Sequence, residues 1–171
     1  DYKILAVTAV SANMFLTFDQ NIKTPHDFAG KRLGMGTIMQ PEWGIHPTMM
    51  LEGWGILDDL KSLDRLGARP NIDALLDGRT DIGITYIGLD VNHQTVAPAG
   101  VVQKLVASGR DFHYVDVPED MIKQVIKQTG APFKIIHFPM GQLPNQTRPV
   151  TTFGNLLYLE VHKSFPEDLA Y

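Results

Sequence analysis

Short hydrophobic runs alternate with amphipathic stretches along most of the chain. Residues 31–36, 62–66 and 81–86 have the β-prone or alternating character of strands. Between them, apolar residues recur at helical spacing, as in residues 70–76 before Gly78. This order of strand, helix and strand predicts an α/β fold with a mostly parallel sheet flanked by helices.

The same pattern predicts further strands near both ends of the chain. Residues 4–7 and 14–18 are β-prone runs separated by the polar break at residues 11–13, which we interpret as a turn or crossing. Residues 133–138 and 151–161 predict two later strands. No repeat or Gly/Ser linker divides the chain, so residues 1–171 are expected to form one lobe. Two more helices are predicted at residues 98–108 and 118–128, and a single helical turn at residues 24–30.

The composition indicates a folded domain and excludes several kinds of chemistry. The 171 residues are 44% hydrophobic and 20% charged, which is ordinary for a globular domain with a real core. The net charge of −4 and the scattered basic residues argue against a nucleic-acid partner. Because the chain has no cysteine, it has no disulfide framework and no thiolate nucleophile.

The chain shows no membrane span and no targeting segment. No stretch approaches the roughly 20 consecutive apolar residues of a spanning helix. Asp1, Tyr2 and Lys3 open the chain with neither a methionine nor a basic-then-apolar signal. We therefore expect the chain to be part of a longer protein.

The loop at residues 34–43 is the first candidate binding site. It precedes a predicted helix, whose free N–H groups and positive dipole end favour a carboxylate. Gly36, Thr37, Gln40 and Trp43 are the candidate ligand residues, with hydrogen bonds from Thr37 and Gln40 and an aromatic face from Trp43. The alternative is an ordinary strand-to-helix turn. The loop lacks a dinucleotide or phosphate-loop motif, so no cofactor is predicted.

A second candidate site follows the predicted strand at residues 81–86. Tyr86, Ile87 and Gly88 lie at its carboxyl end, where open α/β sheets place their ligand crevices. The Tyr86 phenol could donate a hydrogen bond to a bound carboxylate. The alternative is a half-buried tyrosine that a neighbouring carbonyl satisfies.

Other polar and aromatic residues favour structural roles. Trp54 shares a helical stripe with Met50 and is expected in the core. Asp90 is expected to cap a local turn. The six histidines fall in separate elements without metal-ligand spacing, so no metal is predicted. No nucleophile motif is present, although a sequence does not exclude a triad assembled in space.

Three segments resemble the TAXI family of solute-binding proteins from TRAP transporters. They are a short helix leading through Gly30-Lys31-Arg32 into the loop, a helix-Gly-Asp-strand junction at residues 74–84, and the closing residues 165–171. The resemblance covers nearly the whole chain but only the middle of a complete receptor, mainly its second lobe. Residues 37–43 depart from the small Gly/Ser-rich loop of such receptors, so ligand identity does not carry over.

This resemblance implies one lobe of a two-lobed periplasmic-binding-protein-like fold. The expected function is binding of a small organic anion, an amino acid or a dicarboxylate, in the periplasm for TRAP-type permease subunits. Hinge-crossing strands are expected near residues 14–18 and 155–161. The rival hypotheses are an enzyme on the same architecture and a ligand-sensing module of a signalling protein.

Overall fold

A mixed β-sheet runs through the centre of the chain, and helices pack on both of its faces. The computed structural model describes residues 1–169, so the last two residues of the predicted closing motif, Ala170 and Tyr171, lie outside the described residues. The eight strands are β1 (Tyr2–Thr17), β2 (Arg32–Met35), β3 (Ser62–Arg65), β4 (Ile82–Leu89), β5 (Val96–Pro98), β6 (His113–Tyr114), β7 (Lys134–Phe138) and β8 (Val150–His162). Their order is β3-β2-β4-β1-β8-β7, with β5 paired to β4 and β6 paired to β1.

Four α-helices connect these strands, close to where the apolar spacing predicts them. Pro118 precedes the last helix, and Gly130 ends it in a left-handed conformation with φ 68°. Shorter helical turns lie at Pro25–Phe28, Pro41–Ile45, Leu57–Asp59 and Glu167–Leu169. The helices are α1 (His46–Gly53), α2 (Ala68–Leu76), α3 (Gly100–Ala107) and α4 (Glu119–Thr129).

The strand directions differ from the sequence prediction. The α/β class with flanking helices is confirmed, but the sheet is mixed instead of mostly parallel. Only two pairings are parallel within the described residues, those of β2 with β3 and with β4. The other pairings, including those of β1 with β4 and β8, are antiparallel. Hydrophobic periodicity identifies the type of each element, whereas the direction of a pairing depends on how distant strands meet.

The first strand also corrects the sequence prediction. The polar break at residues 11–13 was expected to be a turn, but β1 is one strand of 16 residues. Ser11 and Asn13 lie inside the sheet, paired with β4 on one side and β8 on the other. Two neighbouring strands supply the ladder hydrogen bonds of this segment, so tertiary pairing overrides its low strand propensity.

Each face of the sheet carries a hydrophobic core covered by two helices. One core contains Phe15 and Phe153 and is covered by α1 and α4. The other contains Met14 and Leu16 and is covered by α2 and α3. Trp54 belongs to the first core, as predicted, since its ring lies 6.3 Å from that of Phe153 and its indole N–H donates to the Met121 carbonyl at 3.0 Å.

A partly exposed ion pair joins Arg32 of β2 to Asp81, which lies between α2 and β4. The Asp81 carboxylate accepts hydrogen bonds from the Arg32 backbone N–H at 2.8 Å, from Nε at 3.0 Å and from Nη2 at 2.6 Å. This bidentate geometry is the strong form of an arginine–carboxylate contact. The hydrogen bonds from Arg32 hold the pKa of Asp81 below its usual value.

Replacing Asp81 by Asn should lower the free energy of unfolding by about 1–2 kcal/mol at pH 7, after allowance for partial solvent screening. Because the Asp81 pKa is depressed in the folded state, its stabilisation is complete above the ordinary value of 3.8. It is lost as the pH falls through the lower folded pKa, so the gap between wild type and variant should close below pH 3.8.

Urea unfolding from pH 7 to pH 2.5 measures this gap. Asp77→Asn is the matched control, since the Asp77–Arg79 pair is 3.4 Å long with both side chains more than half exposed. A gap for Asp81→Asn that stays constant across this pH range would contradict the assignment.

The outer parts of β1 and β8 form a two-stranded ribbon beyond the helices. Residues 2–9 pair only with residues 157–162 within the described sheet, and several of their apolar side chains are exposed, including Tyr2 at 75%. Of the two predicted hinge-crossing segments, residues 155–161 lie in or beside this ribbon. Residues 14–17 lie in the buried centre and pair with β4 and β6. The two segments therefore do not pair with each other.

Candidate functional site

Trp43 and Tyr86, predicted from separate parts of the sequence, meet in the structure. Trp43 lies in the helical turn Pro41–Ile45, and Tyr86 lies in β4. Their ring centroids are 5.5 Å apart, with an interplanar angle of 88°. This edge-to-face contact makes a rigid aromatic wall. Trp43 is 8% exposed and Tyr86 is half-buried, so part of the wall faces solvent.

The loop that carries Trp43 uses its own donors to hold its shape. The Gly36 N–H donates to the Trp43 carbonyl at 2.7 Å, and the Thr37 N–H donates to Gln40 Oε1 at 3.1 Å. The Gln40 N–H donates to the Thr37 carbonyl at 3.0 Å. These bonds engage three groups that were expected to face an anion. The ligand contacts of Gly36, Thr37 and Gln40 remain predictions, while their visible role is to position Trp43.

Gly36 permits a close approach of the backbone to Trp43. A Cβ atom at this position would lie 2.3 Å from the Trp43 Cβ and 2.8 Å from its carbonyl carbon. No side chain fits at such distances without a shift of the backbone. The lack of a side chain at Gly36 is therefore required by the turn that carries Trp43, while its contact with a ligand remains a prediction.

Ile87 and Gly88 lie away from the aromatic wall. Successive strand residues point to opposite faces, so Ile87 is buried in the core beneath α3 while Tyr86 faces Trp43. Gly88 pairs with Ser11 of β1 and Ala97 of β5. A Cβ atom there would lie 3.3 Å from the Ala97 carbonyl oxygen. Neither residue lines the cavity beside Trp43 and Tyr86, and their contact with a ligand remains a prediction.

A cavity of about 570 Å³ lies beside Trp43 and Tyr86. It is bounded by the aromatic wall and by the first turns of α2 and α3, at the edge of β4 beyond the end of β2. This is a common volume for a small-molecule site. The other lining residues are Ala68, Arg69, Ile72, Asp73, Ala99, Gly100, Val101 and Lys104.

The electrostatics of this cavity favour an anion. Arg69 is exposed and makes no salt bridge with any described side chain. Lys104 of α3 pairs with Asp73 of α2 across the cavity rim. The first residues of α2 and α3, Ala68 and Gly100, line the cavity. The positive ends of the two helix dipoles therefore add to the positive potential that Arg69 creates in the cavity. Sequence reasoning missed Arg69, because an arginine before a proline at a helix start has no distinctive motif.

A second depression is slightly larger but lacks such walls. It has a volume of about 610 Å³ at the open end of the ribbon and is lined by Asp1, Tyr2, Lys3, Lys163 and Glu167. All of these residues except Lys3 are exposed. Without a buried apolar wall it offers little contact area to a ligand.

Asp90 caps a local turn, as the sequence predicts. Asp90 accepts from the Asn92 N–H at 3.3 Å and the Thr95 N–H at 2.6 Å, and the latter bond is the main cause of its lowered pKa. Burial lowers the pKa of His46, whose ring packs edge-on against Phe133 at 5.4 Å. Within residues 1–169, no group of three metal-ligating side chains converges.

One arrangement resembles a catalytic triad in its contacts but not in its surroundings. His137 Nδ1 lies 3.2 Å from Thr151 Oγ1, and His137 Nε2 lies 3.4 Å from a Glu119 oxygen. The His137 and Glu119 side chains are 59% and 45% exposed. None of the three lines the cavity at Trp43, and no wall keeps water from them. The contacts fit a surface cluster and add no support to the enzyme hypothesis.

Comparison with known proteins identifies a family across almost the whole chain. A profile of the NMT1-like family matches residues 2–171. No curated protein matches significantly. None of the helices in residues 1–169 is both long and apolar enough to cross a membrane.

A solved structure that is similar to the chain is an amino acid ABC transporter substrate-binding protein, AbpA from Streptococcus pneumoniae Canada MDR_19A, bound to L-arginine. The identity is 14% and the TM-score 0.42, over 75% of this chain. The chain spans 56% of the length of that protein. Neither match names the TAXI family, so that narrower assignment stays a prediction. The chain belongs to the NMT1-like family.

Proposed function

We propose that this chain is a lobe of an extracytoplasmic solute receptor that binds a small organic anion in the Trp43–Tyr86 cavity. The observation that carries the proposal is the contact of Trp43 with Tyr86, whose ring centroids are 5.5 Å apart, beside Arg69, which makes no salt bridge with any described side chain. The sequence resemblance to solute-binding proteins, together with membership of the NMT1-like family, supports a binding function over an enzymatic one.

The cavity suggests how an anion is held. A carboxylate beside Arg69 accepts two parallel N–H bonds from the guanidinium, with the start of α3 at Gly100 and Val101 adding donors. The apolar part of the ligand packs on Trp43. The Tyr86 hydroxyl, which has no hydrogen-bond partner among the described residues, donates to the same anion or to a bound water.

The transport partners and the closing motion form the wider proposal. The ribbon of residues 2–9 and 157–162 leaves apolar side chains exposed beyond the lobe and is suited to lead toward a second lobe. Hinge bending there closes the cavity on its ligand. In this proposal the receptor is periplasmic and delivers its solute to membrane permease subunits, of the TRAP type if the sequence resemblance holds.

Ligand-dependent thermal shift of the full-length protein tests the proposal. The panel contains amino acids, dicarboxylates and sugars, and selective binding to the native state raises the melting temperature. A saturable shift with a carboxylate and no turnover is expected. No shift across the panel, together with measurable turnover, would favour the enzyme. A shift without any permease interaction would favour a sensing module.

Replacing Tyr86 by Phe should weaken anion binding about 3- to 10-fold, the effect of losing one hydrogen bond worth about 1 kcal/mol. The ring contact with Trp43 is retained, so the melting temperature of the free protein should not change. Isothermal titration measures the affinity. Tyr158→Phe is the control, because Tyr158 lies on the ribbon and is 42% exposed. Equal affinity of wild type and Tyr86→Phe would remove the phenol from the site.

A further inference from the structure

Three polar side chains, each with one buried oxygen that lacks a hydrogen-bond partner among the described residues, form a row on the central strands. Ser11 and Asn13 lie on β1, and Asn155 lies on β8 directly opposite Ser11. Ser11 and Asn13 are 1% and 0% exposed. The Ser11 Oγ, Asn13 Oδ1 and Asn155 Oδ1 atoms are buried and accept no hydrogen bond from any residue in the range 1–169. An unmet buried group of this kind costs about 1–3 kcal/mol, so three together indicate a missing partner.

This row lies next to the aromatic wall. In the antiparallel register, Asn13 is opposite Tyr86 and Ser11 is opposite Gly88. Opposite residues share a face, with Cβ atoms about 4.5–5.5 Å apart. Because Gly88 has no side chain, β4 places no side chain opposite Ser11. The row therefore continues the site from Tyr86 toward β8.

The free atoms of the row are mainly acceptors. The Asn13 amide nitrogen donates to the Glu42 carbonyl at 2.5 Å, which orients Asn13 Oδ1 as the free atom. The Asn155 amide nitrogen donates to the Leu156 carbonyl at 3.4 Å, which leaves Asn155 Oδ1 free as well. A hydroxyl and two amide oxygens match the three donors of an ammonium group. The second carboxylate of a dicarboxylate ligand has no N–H or O–H to donate, so it could not satisfy the two amide oxygens.

We infer that Ser11, Asn13 and Asn155 bind the ammonium group of the ligand, so that the solute is an amino acid or a similar amino carboxylate and not a dicarboxylate. This inference rests on the proposed function, which supplies the carboxylate site at Arg69. The row is buried, and the Asn13 side chain donates to the Glu42 carbonyl in the turn that carries Trp43. Ligand entry therefore shifts this turn.

The test is titration of the full-length protein with pairs of ligands that differ in the amino group. The pairs are each standard amino acid and its deaminated acid, for example L-glutamate with glutarate and L-leucine with 4-methylpentanoate. The amino member of the best pair should bind at least about tenfold more tightly, because unmet buried acceptors reject the analogue. Asn155→Ala should reduce this preference severalfold and leave the affinity for the deaminated acid unchanged.

Asn92→Ala, in the exposed loop after β4, is the matched control and should keep the preference. Asn155 is only partly buried, so its variant should fold, and its melting temperature checks this. Equal binding of both members of every pair overturns the ammonium site but keeps the proposed function. Binding of no carboxylate at all overturns both. A bound structure with water in the row and the ammonium elsewhere also overturns the inference.

Discussion

Replacing Arg69 by Gln should weaken binding of the carboxylate ligand about 30-fold or more. A guanidinium that makes a bidentate contact with a carboxylate contributes about 2 kcal/mol or more to affinity, and glutamine keeps neither the charge nor the paired donors. Arg69 is exposed and has no salt bridge with any described side chain, so its loss should not destabilise the free protein. Isothermal titration with the best ligand from the thermal-shift panel measures the change.

The ionic strength dependence adds a second readout for Arg69. Wild-type affinity should fall as salt is raised from 20 to 500 mM, roughly, because the contact is electrostatic, whereas the variant should respond less. Arg79→Gln is the matched control, since Arg79 is also exposed and pairs only with Asp77. If Arg69→Gln and Arg79→Gln bind the ligand equally well, the carboxylate does not lie at Arg69.

Replacing Asn71 by Ala should lower the free energy of unfolding by about 3 kcal/mol. Asn71 is completely buried in α2, and its side chain accepts from the Ile84 N–H at 2.9 Å and donates to the Ile84 carbonyl at 3.1 Å. It also donates to the Ala68 carbonyl at 2.8 Å. Alanine would leave the Ile84 backbone groups unpaired in the interior, and each unmet group costs about 1–3 kcal/mol.

Thermal unfolding should show this loss as a decrease of about 6–12 °C in melting temperature, given the size of the chain. Asn92→Ala, at an exposed loop position, should change the melting temperature by less than about 2 °C. The Asn71 contacts fix the first turn of α2 against β4 and thereby one wall of the cavity. An Asn71→Ala protein as stable as wild type would mean that another group satisfies Ile84.

Elements with strong local signals were well predicted from the sequence. The helix after Pro118, α4, and the last strand, β8, begin and end within a few residues of their predicted limits. Proline at the start of a helix and glycine at its end act through their own backbone geometry, and they need no distant partner. Such elements are set by local chemistry.

The candidate site was only partly predictable for the same reason. Trp43 was predicted as a pocket residue of the loop at residues 34–43 and Tyr86 as a ligand residue at the end of a strand, and the structure brings them into contact. Arg69 and Asn71 carry no local signal, since their roles depend on which strand α2 packs against. Ser11 and Asn13 were interpreted as a turn because their polarity was read without their strand neighbours.

The sequence by itself determined the α/β class, the positions of most helices and strands, and the aromatic residues of the cavity, because periodicity and turn chemistry act over a few residues. Tertiary structure decided the strand directions, the single long β1, and the grouping of Arg69 with Trp43 and Tyr86. These features require contacts between residues far apart in the chain. Their free energy is gained only when whole elements pack, and no short segment encodes it alone.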